Sequence, residues 1–177
     1  PPRSTLFPYT TLFRSNAADI PDAAAMSFGI VVADYNSDIT YPMLQGCIET
    51  LLAHGANENN IHLYHVPGSF ELPLAALALY ERKKPDAVIC LGCVITGETR
   101  HDEYINKAVS DAIMKLGLVH KTPFIFGVLT PQNHRQALDR AGGKHGNKGI
   151  EAAVTAIKMV QLVKGDKNKN RAGFITP

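Results

Sequence analysis

Tryptophan is missing from this chain of 177 residues, cysteine occurs only three times, and neither sign of charge dominates. Cys47, Cys90 and Cys93 are too few, and odd in number, for a secreted disulfide framework. Cys90-Leu91-Gly92-Cys93 spells C-x-x-C, but along a strand residues three apart point to opposite faces. Buried small apolar residues, and not a redox pair, are therefore expected there. The seven histidines form no H-x-x-x-H or clustered Cys/His spacing, which speaks against a zinc site, so no metal is expected. Lys and Arg total 18 against 16 Asp and Glu, and much of the excess sits in the run Lys164 to Arg171. The near-neutral body argues against nucleic acid as a partner. No apolar run approaches the roughly 20 residues that span a bilayer, and the N-terminus lacks a continuous signal-type stretch. The expectation is a soluble, cytoplasmic protein with no membrane partner.

What is present is an apolar fraction of 45%, enough for one domain with a substantial core. Residues 1–25 look foreign to it. Arg3-Ser4-Thr5-Leu6-Phe7 is answered by Thr11-Leu12-Phe13-Arg14-Ser15, and the segment follows neither a strand nor a helix period. It reads as a translated cloning remnant, a non-native or disordered extension. The functional alternative is an arm that adds a strand to a neighbouring subunit. Residues 26–164 form the expected domain, and 165–177 a basic tail.

Within the domain, Phe28-Gly29-Ile30-Val31-Val32-Ala33 is a short apolar run typical of a buried strand, followed by a polar turn at Asp34 to Asp38. Met43, Leu44, Cys47, Ile48, Leu51 and Leu52 recur at helical spacing until Gly55. A second strand, Ile61 to Val66, leads through Pro67-Gly68-Ser69-Phe70-Glu71-Leu72-Pro73 into a helix reaching about Glu81. A third, Ala87 to Val94, leads through Gly92 to His101 into a helix with Ile105, Val109, Ile113 and Leu116 on one face. The fourth strand spans Phe124 to Leu129, and Thr130-Pro131 reads as N-cap and first residue of a helix to Ala141. A break at Gly142-Gly143 precedes a last helix, Asn147 to Val163. Strands alternating with helices imply βαβ units and an α/β fold with a parallel sheet. The segments that follow the strands then converge on one sheet edge, where such folds bind ligands.

Taken in order, four of these segments resemble the lumazine synthase family, the 6,7-dimethyl-8-ribityllumazine synthases of riboflavin biosynthesis. They are Pro67 to Pro73; Leu91 to Ile95 with Gly97-Glu98-Thr99 and His101; Phe126 to Thr130; and Gln136-Ala137, Arg140-Ala141-Gly142 and Gly146-Asn147-Lys148-Gly149. The resemblance implies a three-layer flavodoxin-like fold with a four-stranded parallel sheet flanked by helices. It implies condensation of 5-amino-6-(D-ribitylamino)uracil with 3,4-dihydroxy-2-butanone 4-phosphate, with no metal or organic cofactor. Imine formation, loss of phosphate and ring closure call for an acid/base, cations for the phosphate and an aromatic surface for a flat heterocycle.

On that resemblance His101 is the proton-transfer residue, a task for which an imidazole side chain is suited. Arg140 matches the family's phosphate-binding arginine, and Lys148 lies in the matching Asn-Lys-Gly segment. Tyr35 stands where the family stacks an aromatic ring on the pyrimidine, and Phe126 matches a second aromatic residue of that site. Ser69, Phe70 and Glu71 match the segment that contacts the ribityl chain and ring, although core packing is an equal reading of Phe70. Cys93, Val94 and Ile95 would lend backbone contacts to the pyrimidine. Gly97, Glu98 and Thr99 would form the butanone phosphate side, where helix N-terminal amides favour an anion. The chain departs from the family at Thr96, where Arg is frequent, and at Asp102, where an aromatic residue is usual. Asp102 would raise the pKa of His101 or cap the helix, and the cap is the favoured reading.

The same resemblance implies a homopentamer with the cleft between subunits, Phe126, Arg140 and Lys148 reaching across from the neighbour. The short link between Ala141 and Gly149 resembles that of members whose pentamers build 60-subunit shells, and riboflavin synthase is a candidate partner. Two rival readings remain open from sequence: a lumazine or flavin carrier without chemistry, and a self-assembling shell scaffold. A flavodoxin-like redox protein is disfavoured, because Asp34-Tyr35-Asn36-Ser37-Asp38 is too acidic for a phosphate loop.

Overall fold

The apolar runs Phe28–Ala33 and Ala87–Cys93 are buried on both faces and form the middle of the sheet. The computed structural model describes residues 20–165. It contains β1 (Phe28–Ala33), α1 (Ser37–Ala53), β2 (Ile61–Val66), α2 (Leu72–Lys83) and β3 (Ala87–Cys93). These are followed by α3 (His101–His120), β4 (Phe124–Leu129), α4 (His134–Arg140), β5 (Ala141–Gly143), β6 (Gly146–Asn147) and α5 (Lys148–Lys164). The sheet order is β2-β1-β3-β4, with every pair parallel: Phe28 stands beside Ile61 and Ala87, and Val88 beside Phe124. This is the expected three-layer flavodoxin-like α/β fold. Among the described residues no helix is long and apolar enough to cross a membrane.

Alternation along the strands divides the core in two. Ile30, Val32, Ile89 and Leu91 pack against Ile39, Met43, Cys47 and Leu51 of α1 and Ala153, Ala156 and Ile157 of α5. Val31, Val88, Cys90 and Val128 face the other way, toward Leu72, Ala76 and Leu79 of α2 and Val109 and Ile113 of α3. Each fully buried Leu or Ile side chain contributes about 1.5–3 kcal/mol. Cys90 and Cys93 fall on opposite faces as the strand period requires, and all three thiols are free and buried. Ile20 and Ala23 also pack on the α1/α5 side, and Ala23 N–H donates to His54 O at 2.8 Å. Residues 20–25 thus lie against the core, whereas the extension to residue 19 and the tail beyond Gly165 lie outside the described residues.

Three boundaries differ from the sequence reading. The first is the start of α1, at Ser37, six residues ahead of its apolar period, with Pro42 inside it. Asn36 starts the helix in a left-handed conformation at φ 60°, and its carbonyl accepts from Ile39 and Thr40 N–H. The second concerns Thr130 and Pro131, which are not the cap of α4. Asn133 is, accepting from Gln136 N–H at 3.0 Å, while Gln136 Oε1 accepts from Gln132 N–H at 2.9 Å and fastens the chain entering the helix. Third, the Gly142-Gly143 break is a small antiparallel hairpin, β5 with β6.

Helices α1 and α5 touch at backbone distance, and two residues permit it. Asn147 caps α5 by accepting from Gly149 N–H at 2.8 Å, and its Nδ2 donates to Pro42 O at 2.9 Å. At Gly149 an added Cβ would stand 2.9 Å from Met43 Cα and overlap the Met43 carbonyl. We predict that Gly149→Ala destabilises by ~3 kcal/mol or more, lowering the thermal midpoint by about 10 °C. An unchanged midpoint in a calorimetric scan would show that α1 and α5 part without cost.

Candidate functional site

Because all four strands are parallel, their C-terminal ends share one edge, and backbone hydrogen bonds continue across it beyond the strands. Asp34 N–H donates to Val66 O at 2.8 Å and Tyr35 N–H to Pro67 O at 3.0 Å. Val94 N–H donates to Leu129 O at 2.9 Å and Thr96 N–H to Pro131 O at 3.0 Å. Asn36 Nδ2 donates to Cys93 O at 3.1 Å. Tyr35, the Ser69-Phe70-Glu71 turn, Cys93-Val94-Ile95, Gly97-Glu98-Thr99 and His101 therefore lie along this edge, after β1, β2 and β3 respectively.

Two of these residues are set by a close approach. Ser69 opens a 3₁₀ turn, Ser69–Glu71, that presses on β3, and a Cβ at Gly92 would meet Ser69 Oγ at 2.6 Å. The Ser69 hydroxyl is buried and makes no hydrogen bond with any described residue. Phe70 and Tyr35 are 59% and 72% exposed, so Phe70 is not a core residue of the chain. His101 is the exposed first residue of α3. Asp102 and Glu103 occupy the first turn, where the helix dipole favours carboxylates, while Arg100 in the cap position makes no side-chain cap. Arg100 is instead tied to Glu103, with Nη2 2.9 Å from Oε2. The cation missing at Thr96 is thus not simply supplied four residues later.

The remaining expected residues lie on β4 and the elements after it. Phe126, on the edge strand β4, and Lys148 line a largely apolar groove of about 610 Å³ between α3 and α5, with Met114, Leu118 and Val163. Arg140 lines a recess of about 400 Å³ with Thr130, Gln136, Asp139 and His145. Its Nη1 donates to His145 O at 2.8 Å, and its Nη2 to Glu151 Oε2 at 3.0 Å. Lys148 Nζ donates to the same Glu151 oxygen at 3.2 Å. Glu151, not singled out from sequence, therefore holds both cations of the expected phosphate site. Its position one helical turn after Lys148 was the available signal. Among the described residues no side-chain hydrogen bond or ion pair joins Phe126, Arg140 or Lys148 to the group around His101.

Asp34 Oδ1 accepts from His65 Nδ1 at 2.8 Å and from Tyr41 Oη at 3.0 Å. The His65 hydrogen bond, then that from Tyr41, holds the Asp34 carboxyl below its ordinary pKa, and the same contact raises that of Tyr41. Asp38, in the first turn of α1, pairs with His134 Nε2 of α4 at 2.5 Å. Neither pair was foreseen.

A family model described as 6,7-dimethyl-8-ribityllumazine synthase matches residues 25–164. The chain is 55% identical over 146 residues to the 6,7-dimethyl-8-ribityllumazine synthase of Cytophaga hutchinsonii, covering 82% of this chain and 92% of that one. It is 50% identical over 154 residues to the synthase of the same name from Parabacteroides distasonis, covering 87% and 96%. The synthase of that name from Porphyromonas gingivalis is 47% identical over 154 residues, again 87% and 96%.

Burial pushes the thiol of Cys93 up to about 12, with the Asp38 charge adding to it, and burial alone does the same for Cys47 and Cys90. A thiol so raised is protonated and unreactive at neutral pH. We predict no fast reaction of the native protein with an aromatic disulfide reagent at pH 8, and three thiols per chain in denaturant. Rapid labelling of Cys93 in the native state would contradict this.

Proposed function

As a member of the 6,7-dimethyl-8-ribityllumazine synthase family, the chain condenses 5-amino-6-(D-ribitylamino)uracil with 3,4-dihydroxy-2-butanone 4-phosphate in riboflavin biosynthesis, and we propose that it does so in a site shared by two subunits. One observation carries this reading. His101 and the expected ring-binding residues other than Phe126 lie at the ends of β1, β2 and β3, whereas Arg140 and Lys148 converge on Glu151 and, among the described residues, have no side-chain hydrogen bond or ion pair to that group. A single chain offers two halves of a site, and a homopentamer joins each half to its neighbour's complement. The exposed apolar side chains of Met114, Leu118, Phe126 and Val163 along the β4 edge suit such a contact. Sixty-subunit shells in the cytoplasm, with riboflavin synthase as partner, extend the proposal.

Within that site, Tyr35 and Phe126 offer flat faces to the pyrimidine, and Ser69, Phe70 and Glu71 meet its ribityl chain and ring. Backbone groups of Cys93, Val94 and Ile95 hold the heterocycle's polar edge. An amine of the pyrimidine condenses with the butanone carbonyl, forming an imine and releasing water. His101 moves the protons that this step and ring closure require, since imidazole gains and loses a proton near neutral pH. Loss of phosphate develops anionic charge, which Arg140 and Lys148 stabilise together with the backbone of Gly97, Glu98 and Thr99. Glu151 balances the two cations and fixes their direction, so the phosphate meets an arranged pair and not two mobile side chains.

We expect His101→Ala to lower the rate of lumazine formation by about 10²- to 10⁴-fold, with the particle mass unchanged. Full turnover in that variant would remove His101 from the chemistry. Arg140→Ala should raise KM for the butanone phosphate about tenfold or more, the loss of one charge-assisted contact. Equal loss for both substrates would contradict the phosphate role.

A further inference from the structure

Tyr35 projects from a turn that is fastened on every side. Its ring is 72% exposed and, among the described residues, no aromatic ring stacks on it. The direction of the ring therefore depends on the backbone that carries it. Asn36, the next residue, adopts a left-handed conformation that asparagine tolerates better than most residues, and its side chain is held by Cys93 O. On the other flank, the Asp34 carboxylate is gripped by His65 from β2 and Tyr41 from α1. The Tyr41 ring meets the His65 imidazole edge-on, with centroids 5.8 Å apart, which limits how far the imidazole can turn. Asp38 is fastened beyond the turn to His134.

The Asp34–His65 pair adds little to global stability. Both side chains are nearly half exposed, at 46% and 44%, and exposed ion pairs of this kind add little to the fold. What the pair does locally is fix the residue immediately before Tyr35. A ring held in place before substrate arrives spares the entropy of ordering it on binding.

We propose that Asp34 and His65 are positioning residues for the pyrimidine substrate: their pair, backed by Tyr41, presets the turn so that Tyr35 is ready to stack. The inference rests on the reading of Tyr35 as the stacking residue, and the test separates the two. Steady-state kinetics of the assembled protein with each substrate varied would be measured for Tyr35→Ala, His65→Ala, His65→Asn, Asp34→Ala and the Tyr35→Ala/His65→Ala double variant. His65→Ala should raise KM for the pyrimidine about five- to tenfold, with KM for the butanone phosphate and kcat within about twofold. His65→Asn, whose Nδ2 takes the place of Nδ1 as donor, should return to within about twofold of the unaltered protein. The double variant should be no worse than Tyr35→Ala alone, because the pair acts through that ring. Should His65→Ala fail to assemble, Asp34→Ala, which removes the acceptor of both hydrogen bonds, carries the test with the same expected rise. A raised pyrimidine KM in Tyr35→Ala beside an unchanged one in His65→Ala and Asp34→Ala would overturn the positioning role and leave Tyr35 in place. No effect of Tyr35→Ala would overturn the stacking reading and the proposal with it.

Discussion

All four strands of the sheet run in one direction, and the placement of the site depends on that. In a parallel sheet every strand-to-helix turn after a strand emerges at the same edge, so residues as distant in sequence as Tyr35, Ser69 and His101 become neighbours along it. The ladder of backbone hydrogen bonds continues past the strand ends, through Tyr35 to Pro67, Val94 to Leu129 and Thr96 to Pro131. The turns are consequently rigid extensions of the sheet. These bonds hold the backbone that carries the residues of the proposed site.

The second half of the proposed site depends on the approach of α1 to α5. Asn147 caps α5 and binds the Pro42 carbonyl, and the absence of a side chain at Gly149 lets the helix lie on Met43. That seating fixes Lys148 and Glu151 in the first turn of α5, and Glu151 in turn draws in Arg140 from the end of α4. The run Gly146-Asn147-Lys148-Gly149 is thus partly a packing device and partly a source of charge. The same segment that holds the fold together directs the cations.

The strands were legible because β1 and β3 are buried on both faces and read as unbroken apolar runs. The family resemblance was legible because its motifs lie at strand ends in the order the topology requires. What escaped the sequence was set by longer-range or competing local interactions. The start of α1 precedes its apolar period because Asn36 turns left-handed and lends its carbonyl. Thr130-Pro131 looked like a helix start, but Asn133 and Gln136 form the better cap three residues on. Glu151 and the Asp34–His65 and Asp38–His134 pairs escaped for a different reason. Their meaning lies in the partner, and the two histidine pairs join residues 31 and 96 positions apart.

The central claim is that each site takes His101 from one subunit and Arg140 from the next. Co-assembly of His101→Ala with Arg140→Ala chains tests it most directly. With the butanone phosphate held well below KM, each variant alone is impaired at every site, but random mixing in equal amounts places an unaltered His101 beside a neighbour's unaltered Arg140 at about a quarter of the sites. Recovery of activity toward about a quarter of that of the unaltered protein is the predicted result. Activity no higher than that of the two variants assembled separately, in particles shown by mass spectrometry to contain both chains, would contradict a shared site.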